Sequence, residues 1–235
     1  MSNTGQQKIH QHSGWLIPLA FGGAILLLSG LFLGWYLRPG LRTPAAPTGQ
    51  SNLVELTVRG AGFAIPANYI QSPAARGGGD QNSLALAALF PSLQGYSDAE
   101  ATLFQGNAAD SPVIHINLRG DTGNLDARAR LERVYKPYLS NPESAPGSFG
   151  LTQYAFRPDS GYARNDLFAG QANGGLVLLL CERAASDLSS PNCLATDQPL
   201  KPGLNYSYRF KRAYLARWRE IDSGVSGLVR ELERP

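Results

Sequence analysis

Residues 15–37 read WLIPLAFGGAILLLSGLFLGWYL, and this stretch decides how the chain is organised. It contains no charged residue, and as an α-helix it would rise about 34 Å, enough to cross a hydrocarbon core about 30 Å thick. Trp15 stands at one end and Trp35 and Tyr36 at the other, where aromatic rings favour the headgroup level. Pro18 falls in the first turn, where its missing N–H breaks no helical hydrogen bond. We therefore predict a transmembrane helix over 15–37.

The flanks of this stretch favour an uncleaved anchor over a signal peptide or a buried core helix. A signal peptide has a basic start, a shorter apolar region and a cleavage site made of small residues. Here Lys8 is the only Lys or Arg before the apolar run, and prolines follow the run where small extended residues would be needed. A core helix is rarely free of charge over such a length. We expect a cytoplasmic tail (1–14), the membrane helix, a Pro- and Ala-rich linker (38–52) and one folded domain (53–235).

The two cysteines, Cys181 and Cys193, bear on the compartment of the domain. No further cysteine and no clustered histidine is available to build a metal site with them. An isolated pair across a predicted hairpin is typical of a disulfide, and disulfides persist outside the cytosol. The count of basic residues beside the helix leans the other way, with Lys8 before it and Arg38 and Arg42 after it. Because that count is nearly tied, we give the cysteines more weight and predict an inner-membrane protein with its C-terminal domain in a bacterial periplasm.

The charge balance of the domain argues against nucleic-acid binding. The formal net charge of the chain is +3, but three of the 21 basic residues and none of the 18 acidic ones precede residue 53. The domain therefore carries 18 charges of each sign, and its net charge is zero. Without an overall basic field, the domain lacks the electrostatic footprint of a nucleic-acid-binding protein.

Apolar runs in the domain predict many strands and a mostly antiparallel sheet. Several runs alternate apolar and polar residues, as a strand with one buried face does. The predicted strands are 53–58, 63–69, 83–90, 113–119, 151–157, 166–171, 176–181, 192–198 and 204–210. The run 176–181 is the most apolar and belongs near the centre of the sheet. Pro66 confines the strand 63–69 to an edge, or else marks the exit from a strand.

Helices are predicted to back this sheet, which gives an α+β fold. Ser97 and Glu100 have the spacing of a capping box that begins a short helix. A second helix is predicted over 125–138, with Asn124 or Thr122 as its cap.

The chain closes with a long amphipathic helix predicted over 211–233. Its apolar residues recur at spacings of four and three: Tyr214, Trp218, Ile221, Val225, Leu228 and Leu232. This spacing also fits a coiled-coil seam, but Leu215 and Val229 widen the apolar stripe beyond one. We therefore predict that the helix packs on the chain's own sheet, with Trp218 in the core.

The entry to the domain carries a motif of the form Phe-x-Ile-Pro-x-x-Tyr over Phe63–Tyr69. Together with a predicted curved sheet and a closing amphipathic helix, this motif resembles PsbP-like modules. Those modules are non-catalytic extracytoplasmic accessory domains, so the resemblance implies an accessory role. The overall layout is also similar to that of single-span bacterial envelope proteins.

The search for catalytic chemistry turns on one residue, His115. It is the only histidine in the domain, so any Ser-His-Asp or Cys-His arrangement has a single possible base. Asn117 and Arg119 lie on the same face of the predicted strand and would flank it. Because no nucleophile motif accompanies it, an ordinary half-exposed strand histidine is favoured over a general base. A lone histidine also supplies too few ligands for zinc.

Two acidic pairs are spaced closely enough to act as acid and base in principle. They are Asp98 with Glu100, and Glu220 with Asp222. Because each pair belongs to one predicted helix, a helix cap and a solvated face are the simpler interpretations. We predict no catalytic residue, no metal site and no cofactor from the sequence.

One local cluster of basic residues stands near the start of the terminal helix. It comprises Arg209, Lys211, Arg212, Arg217 and Arg219. Lys211 and Arg212 at a helix N-terminus oppose the helix dipole, which costs about 0.3–1 kcal/mol each. That cost favours a contact with anionic lipid headgroups or with an acidic partner surface. The alternative is neutralisation within the domain by Glu182, Asp197 or Glu220.

Gly30 and Gly34 form a Gly-x-x-x-Gly pattern in the predicted membrane helix. Such spacing lets two helix backbones approach closely, so homo-oligomerisation through the anchor is one expectation. Glycine is frequent in membrane helices, which leaves an unpaired helix as the alternative.

These observations favour a non-enzymatic accessory or interaction module of an inner-membrane envelope complex. Its expected partners are the membrane, through one integral span, and other inner-membrane proteins. One alternative is a hydrolase of a cell-envelope substrate, which would need a deep pocket with converging polar groups around His115. Another is a ligand-sensing domain that signals through the anchor, although the predicted tail leaves little to signal with. An interaction module would instead show a shallow apolar or charged patch.

Overall fold

The chain in this computed structural model is described at residues 14, 16–36, 46–120, 125–141, 145–173, 175–185 and 187–234. It forms two compact units, one ending at Pro44 and the other beginning at Ala45. The first unit contains one helix and the second contains a sheet-rich domain that ends in a long helix. The fold class is therefore α+β, as predicted.

The helix of the first unit, α1 (Leu16–Tyr36), contains no acidic residue in its first turn and no basic residue in its last. Its 21 residues rise about 32 Å, and it is long and apolar enough to cross a membrane. A Cβ added at Gly30 or Gly34 would meet nothing within 4 Å, so both glycines lie in open space. Helix pairing through them stays a prediction.

The second unit contains eleven strands among its described residues. They are β1 (Leu53–Val58), β2 (Ala61–Pro66), β3 (Gly79–Gln81), β4 (Ser83–Leu89), β5 (Val113–Gly120), β6 (Ala145–Pro146), β7 (Thr152–Ala155), β8 (Asn165–Ala172), β9 (Gly175–Glu182), β10 (Asn192–Lys201) and β11 (Leu204–Lys211). The α-helices of this unit are α2 (Ala101–Gln105), α3 (Ala127–Arg130) and α4 (Trp218–Leu232).

The strands form two sheets. A small sheet has the order β2-β1-β3, in which β2 pairs antiparallel and β3 pairs parallel with β1. The large sheet has eight strands in the order β4-β5-β11-β10-β9-β8-β7-β6, and its neighbouring strands are antiparallel. The apolar strand β9 lies near the middle of this order, as its sequence predicts.

The main core lies on one face of the large sheet and also contains buried residues of α4 and of the small-sheet strands β1 and β2. Trp218 and Tyr208 are each 1% exposed within it, and the Trp218 indole N–H donates to the Phe149 carbonyl oxygen at 3.2 Å. The prediction that the terminal helix packs on its own sheet is confirmed. Its start differs from the prediction, because Arg212–Arg217 form a 3-10 helix and regular α-helix begins only at Trp218.

Two smaller apolar clusters lie on the other face of the large sheet. In one, Leu131, Tyr135 and Leu139 pack over apolar residues of β8 and β9. In the other, Phe104 of α2 packs on Ala87, Leu89 and Val113 at the far end of the sheet. Each cluster covers only part of this face.

The predicted helix over 125–138 is three short helical segments in sequence. A π-helical turn over Leu131–Tyr135 and a 3-10 turn over Lys136–Tyr138 follow α3. Pro137 stands in the last of these turns, where a residue without an N–H cannot extend an α-helix.

Asp126, and neither predicted cap, is the N-cap of α3 in the described residues. Its Oδ1 accepts a hydrogen bond from the Ala129 amide at 2.7 Å. The predicted caps, Asn124 and Thr122, lie outside the described residues. A side-chain oxygen at the residue before a helix caps it by accepting a hydrogen bond from the free backbone amide two or three residues later.

The predicted capping box at Ser97 is also wrong in detail. Ser97 Oγ donates to Glu100 Oε2 at 2.9 Å and does not accept from the helix backbone. The segment Asp98–Glu100 is a 3-10 turn that leads into α2. The Glu100 amide, which a capping box would give to the Ser97 side chain, instead donates to the Ser97 carbonyl oxygen at 3.1 Å.

Candidate functional site

Cys181 and Cys193 form a disulfide between the neighbouring strands β9 and β10. The two residues lie directly opposite in the strand register, with Cα atoms 4.0 Å apart. Both are fully buried on the side of the sheet that faces α4. The predicted pairing is confirmed, and it holds together two strands at the middle of the large sheet.

His115 lies on β5, on the face of the sheet opposite α4. Its neighbours Ile114 and Ile116 are buried in the main core, so the histidine projects to the other side. Gln71 approaches it, with Nε2 2.7 Å from His115 Nδ1. Because an amide nitrogen can only donate, Nδ1 accepts this bond and the neutral ring carries its hydrogen on Nε2.

The surroundings of His115 oppose its protonation. Burial, followed by the charges of Arg209 and Lys211, lowers the pKa of the imidazole to about 4. An imidazole with such a pKa is neutral at pH 7 and is a weak general base. The ring acts here as a fixed, uncharged hydrogen-bonding group.

The outer side of β5 and β11 presents four polar side chains in two facing pairs. Arg209 lies opposite His115 in the strand register, and Ser207 lies opposite Asn117. Each is half-buried or exposed, and none belongs to the apolar clusters of the described chain. We refer to these four residues as the open face. It lies between the two small apolar clusters on this side of the sheet, one at β4 and β5 and the other over β8 and β9.

A cavity of about 300 Å³ adjoins the open face at His115. Its wall includes Gln71, Tyr96 and Phe104, and the two aromatic rings meet edge to face. Among the described residues that line it there is no carboxylate, no thiol and no serine or threonine hydroxyl. The cavity therefore offers His115 no Ser, Thr or Cys nucleophile and no carboxylate partner, and the hydroxyls in its described wall belong to Tyr69 and Tyr96.

The five basic residues singled out by the sequence have different surroundings. Arg212 donates to Asp166 Oδ2 and to the Glu182 carbonyl oxygen, each at 2.6 Å. Arg217 pairs with Glu220, also at 2.6 Å. These two arginines are neutralised within the domain, although Asp166 rather than Glu182 supplies the carboxylate for Arg212.

Arg219 is held by backbone and by an aromatic ring. Its guanidinium donates to the carbonyl oxygens of Phe149 and Gly150 at 3.3 and 3.4 Å and lies 4.5 Å from the centre of the Trp218 ring. Asp197, a predicted neutralising partner of the cluster, instead pairs with two arginines outside it, Arg119 and Arg130.

Arg209 and Lys211 remain without a carboxylate. Lys211 is buried, and its Nζ donates to Asn107 Oδ1 at 2.6 Å. Burial and the charge of Arg209 lower the pKa of the Lys211 ammonium. No ion pair of either residue occurs in the described part of the chain. Of the five residues, Arg209, Lys211 and Arg219 thus form no ion pair in the described part of the chain; Arg219 is held by carbonyl oxygens and a ring, and the charge of Glu182 partly offsets that of Lys211.

Asp222 was assigned to a solvated helix face, and that interpretation is wrong. The residue is only 2% exposed, and its carboxylate accepts from the Tyr208 hydroxyl at 2.7 Å and from Asn173 Nδ2 at 2.8 Å. Burial raises the pKa of the Asp222 carboxyl. The signal was present in the sequence, because Asp222 stands four residues after Trp218 on the stripe that packs inward.

Asp222 forms part of the wall of a second cavity, of about 410 Å³. Tyr206, Ser226 and Arg230 also line it, and Arg230 donates to Ser226 Oγ at 2.5 Å. Both oxygens of Asp222 already accept a hydrogen bond, so the carboxylate serves to tie α4 to the sheet. Within the described ranges, no group of three His, Cys, Asp or Glu side chains is placed to hold a metal ion.

Comparisons with known proteins relate the chain to others by fold. No family model matches it, and no curated protein sequence matches it. A similar solved structure is that of Smlt3025, an immunity protein of the Stenotrophomonas maltophilia type IV secretion system. It is 14% identical, with a TM-score of 0.57, over 79% of this chain and 94% of that one.

A second similar structure is the iron-regulated outer membrane lipoprotein FrpD of Neisseria meningitidis. It is 13% identical, with a TM-score of 0.50, over 81% of this chain and 96% of that one. At such identities the likeness is one of fold alone. Neither structure bears on the PsbP-like resemblance, which stays a prediction.

Proposed function

We propose that the chain is a membrane-anchored, extracytoplasmic interaction module of the bacterial envelope and that it works without catalysis. The observation that carries this proposal is the shape and chemistry of the surface around His115. A polar strand surface, and a cavity whose described lining has no Ser, Thr or Cys nucleophile and no carboxylate, suit recognition of another macromolecule better than bond cleavage. An accessory module needs a surface that is free to bind a partner protein, and the open face has this property.

The anchoring and the compartment rest on two further features. Helix α1 has the length and composition of a membrane span, and an uncleaved anchor fits its flanks better than a signal sequence does. The buried disulfide between β9 and β10 supports an oxidising compartment. The fold likeness to an envelope lipoprotein and to a secretion-system immunity protein is compatible with this setting.

Affinity capture of the full chain tests the proposal. The tagged chain is crosslinked in intact cells, solubilised gently and purified, and we expect one protein partner at a stoichiometric ratio. A variant that lacks residues 53–235 but keeps the anchor serves as the control and should lose the partner. Recovery of the full chain alone, after crosslinking at several reagent lengths, would refute an interaction role.

A reporter that is active only outside the cytosol tests the topology. Fused after residue 235, it should be active, whereas the same reporter fused before residue 1 should not. The opposite pattern would place the domain in the cytosol and remove the reason for its disulfide.

A narrower candidate is an immunity protein, and the fold likeness to Smlt3025 favours it. An immunity protein binds a toxic effector delivered by a neighbouring cell. Cells deleted for the chain should then be outcompeted by their parent only in contact-dependent mixed culture, and the restored gene should cure the defect. Equal fitness in that culture would leave the general interaction module and exclude the immunity role.

A further inference from the structure

The open face carries an unbalanced positive charge. The strands β4, β5 and β11 contain no aspartate or glutamate, and their charged residues are Arg119, Arg209 and Lys211. All three stand at outward positions, alternating with buried residues of the main core. Arg119 is neutralised by Asp197. Glu182 on β9 partly offsets the charge of Lys211 but forms no ion pair with it among the described residues, so exposed Arg209 is the cation that this face offers to a partner.

The arrangement of these two cations is unfavourable without a partner. Arg209 and Lys211 are separated by one residue on the same strand, so both project to the same side. Among the described residues, the acceptor of Lys211 is the neutral side-chain oxygen of Asn107. Two like charges close together, one of them buried, repel each other and lose hydration. A carboxylate beside Arg209 would reduce this repulsion and would accept two parallel hydrogen bonds from the guanidinium.

The rest of the open face suits a polypeptide more than a lipid surface. Asn117, Ser207 and the neutral imidazole of His115 offer uncharged donors and acceptors that a peptide can use. The exposed large apolar side chains of the described domain are Leu53, Leu103, Tyr138 and Phe149. None of them belongs to β4, β5 or β11, so the open face itself presents no large apolar side chain to insert among acyl chains.

We propose that the open face is the docking surface for a protein partner and that it binds aspartate or glutamate side chains of that partner, with Arg209 as the principal contact. This inference rests on the proposed function and specifies the chemistry of the partner. Electrostatic complementarity of this kind chiefly sets specificity and association rate. Arg209 is exposed, so its replacement leaves the core of the domain unchanged.

The test measures binding of a fluorescein-labelled peptide of ten glutamates to the full chain in phosphatidylcholine nanodiscs. Wild type should bind it, Arg209→Glu should weaken binding at least tenfold, and Arg209→Lys should retain most of it. Arg133→Glu is the matched control, because Arg133 is exposed on the segment after α3 and the net charge changes equally. It should change affinity less than twofold. Unfolding midpoints confirm that each variant is folded.

Other results would overturn the inference. Equal affinity for a neutral glycine-serine decapeptide, or equal loss in Arg209→Glu and Arg133→Glu, would mean that no specific acidic site exists. If Arg209→Glu abolished binding of phosphatidylglycerol vesicles but left peptide binding unchanged, the ligand would be a membrane surface.

Capture of the partner in cells separates this inference from the proposed function. A partner that is still captured by Arg209→Glu would refute the docking surface and leave the interaction module intact. A wild-type chain that captures no partner would refute the proposed function and the docking surface with it.

Discussion

The hydroxyl of Tyr208 donates a hydrogen bond to Asp222 Oδ1 at 2.7 Å in the interior of the domain. Tyr208 comes from β11 and Asp222 from α4, so the bond joins the large sheet to the helix that packs on it. Burial, together with the nearby Asp222 carboxylate, raises the pKa of the Tyr208 hydroxyl well above its usual value, and the hydroxyl remains protonated as a donor. The pair fixes the position of α4 in addition to its apolar contacts.

Tyr208→Phe should destabilise the domain by about 1.5–3 kcal/mol, because it removes a hydrogen bond to a buried carboxylate. Urea unfolding of the full chain in detergent measures this change. Tyr154→Phe is the control, since the Tyr154 hydroxyl has no hydrogen-bond partner among the described residues. Equal effects of the two substitutions would mean that the bond to Asp222 contributes nothing.

Gly170→Ala should destabilise the domain by about 1–3 kcal/mol, because it overfills the core beside Trp218. A Cβ at Gly170 would lie 2.6 Å from Trp218 Cζ2 and 2.8 Å from Leu151 Cδ2. A Cβ at Gly175 would meet nothing within 4 Å, so Gly175→Ala is the matched control and should change stability by less than about 0.5 kcal/mol.

A second substitution checks the cause of that loss. If contact with the indole is responsible, Trp218→Phe should cost less in the Gly170→Ala background than in wild type. Strictly additive effects in urea unfolding would mean that the two residues do not interact.

The cysteines provide a prediction about the middle of the sheet. Cys181→Ala should lower stability by about 3 kcal/mol, since a disulfide that closes a loop of this length reduces the entropy of the unfolded chain. Alanine is chosen because a buried serine hydroxyl would add a cost of its own. Reductant should lower the unfolding midpoint of wild type to that of the variant and leave Cys181→Ala unchanged. Free thiols in protein purified without reductant would contradict the disulfide.

Much of the fold follows from local patterns because those patterns record which face is buried. The alternation at 113–119 and 204–210 predicts both strands and their inward residues, which the main core contains. The apolar stripe of the terminal helix likewise predicts its packing. What the patterns do not contain is the long-range pairing of β5 with β11, because many alternating strands are equally able to pair.

The candidate site depends on those pairings, and for this reason the sequence predicted it only in part. The sequence predicts the basic cluster because its residues are close together along the chain. Which of them is neutralised depends on strand pairing, which brings Asp166 to Arg212 and places Arg209 beside His115. The prediction that Asp222 faces solvent was wrong because a charged residue is usually exposed, even where its helical position lies on the apolar stripe. Its hydrogen bond with Tyr208 depends on the packing of α4 against β11, which local sequence patterns do not predict.

The low pKa of His115 predicts how stability depends on pH. The pKa is about 4 in the folded state and 6.5 in the unfolded chain, so between these values the unfolded chain binds more protons. The contribution of His115 to the free energy of unfolding is therefore complete above pH 6.5. It decreases as the pH falls toward 4, and the total loss is about 3 kcal/mol. His115→Gln should remove this contribution, so the stability difference between wild type and variant should change across that range. A constant difference from pH 7 to pH 4 would contradict the shifted pKa.

Arg209 provides an independent check on the origin of that shift. Burial is the largest cause of the low pKa of His115, and Arg209 is the next. Arg209→Gln should therefore raise the pKa, observed by NMR titration of the imidazole, but leave it below 6.5 because the ring stays buried. Arg133→Gln removes the same charge from an exposed site on another element and should leave the titration unchanged. If both substitutions moved the pKa equally, the net charge of the domain, and not the neighbour across the β5–β11 pair, would set the protonation of His115.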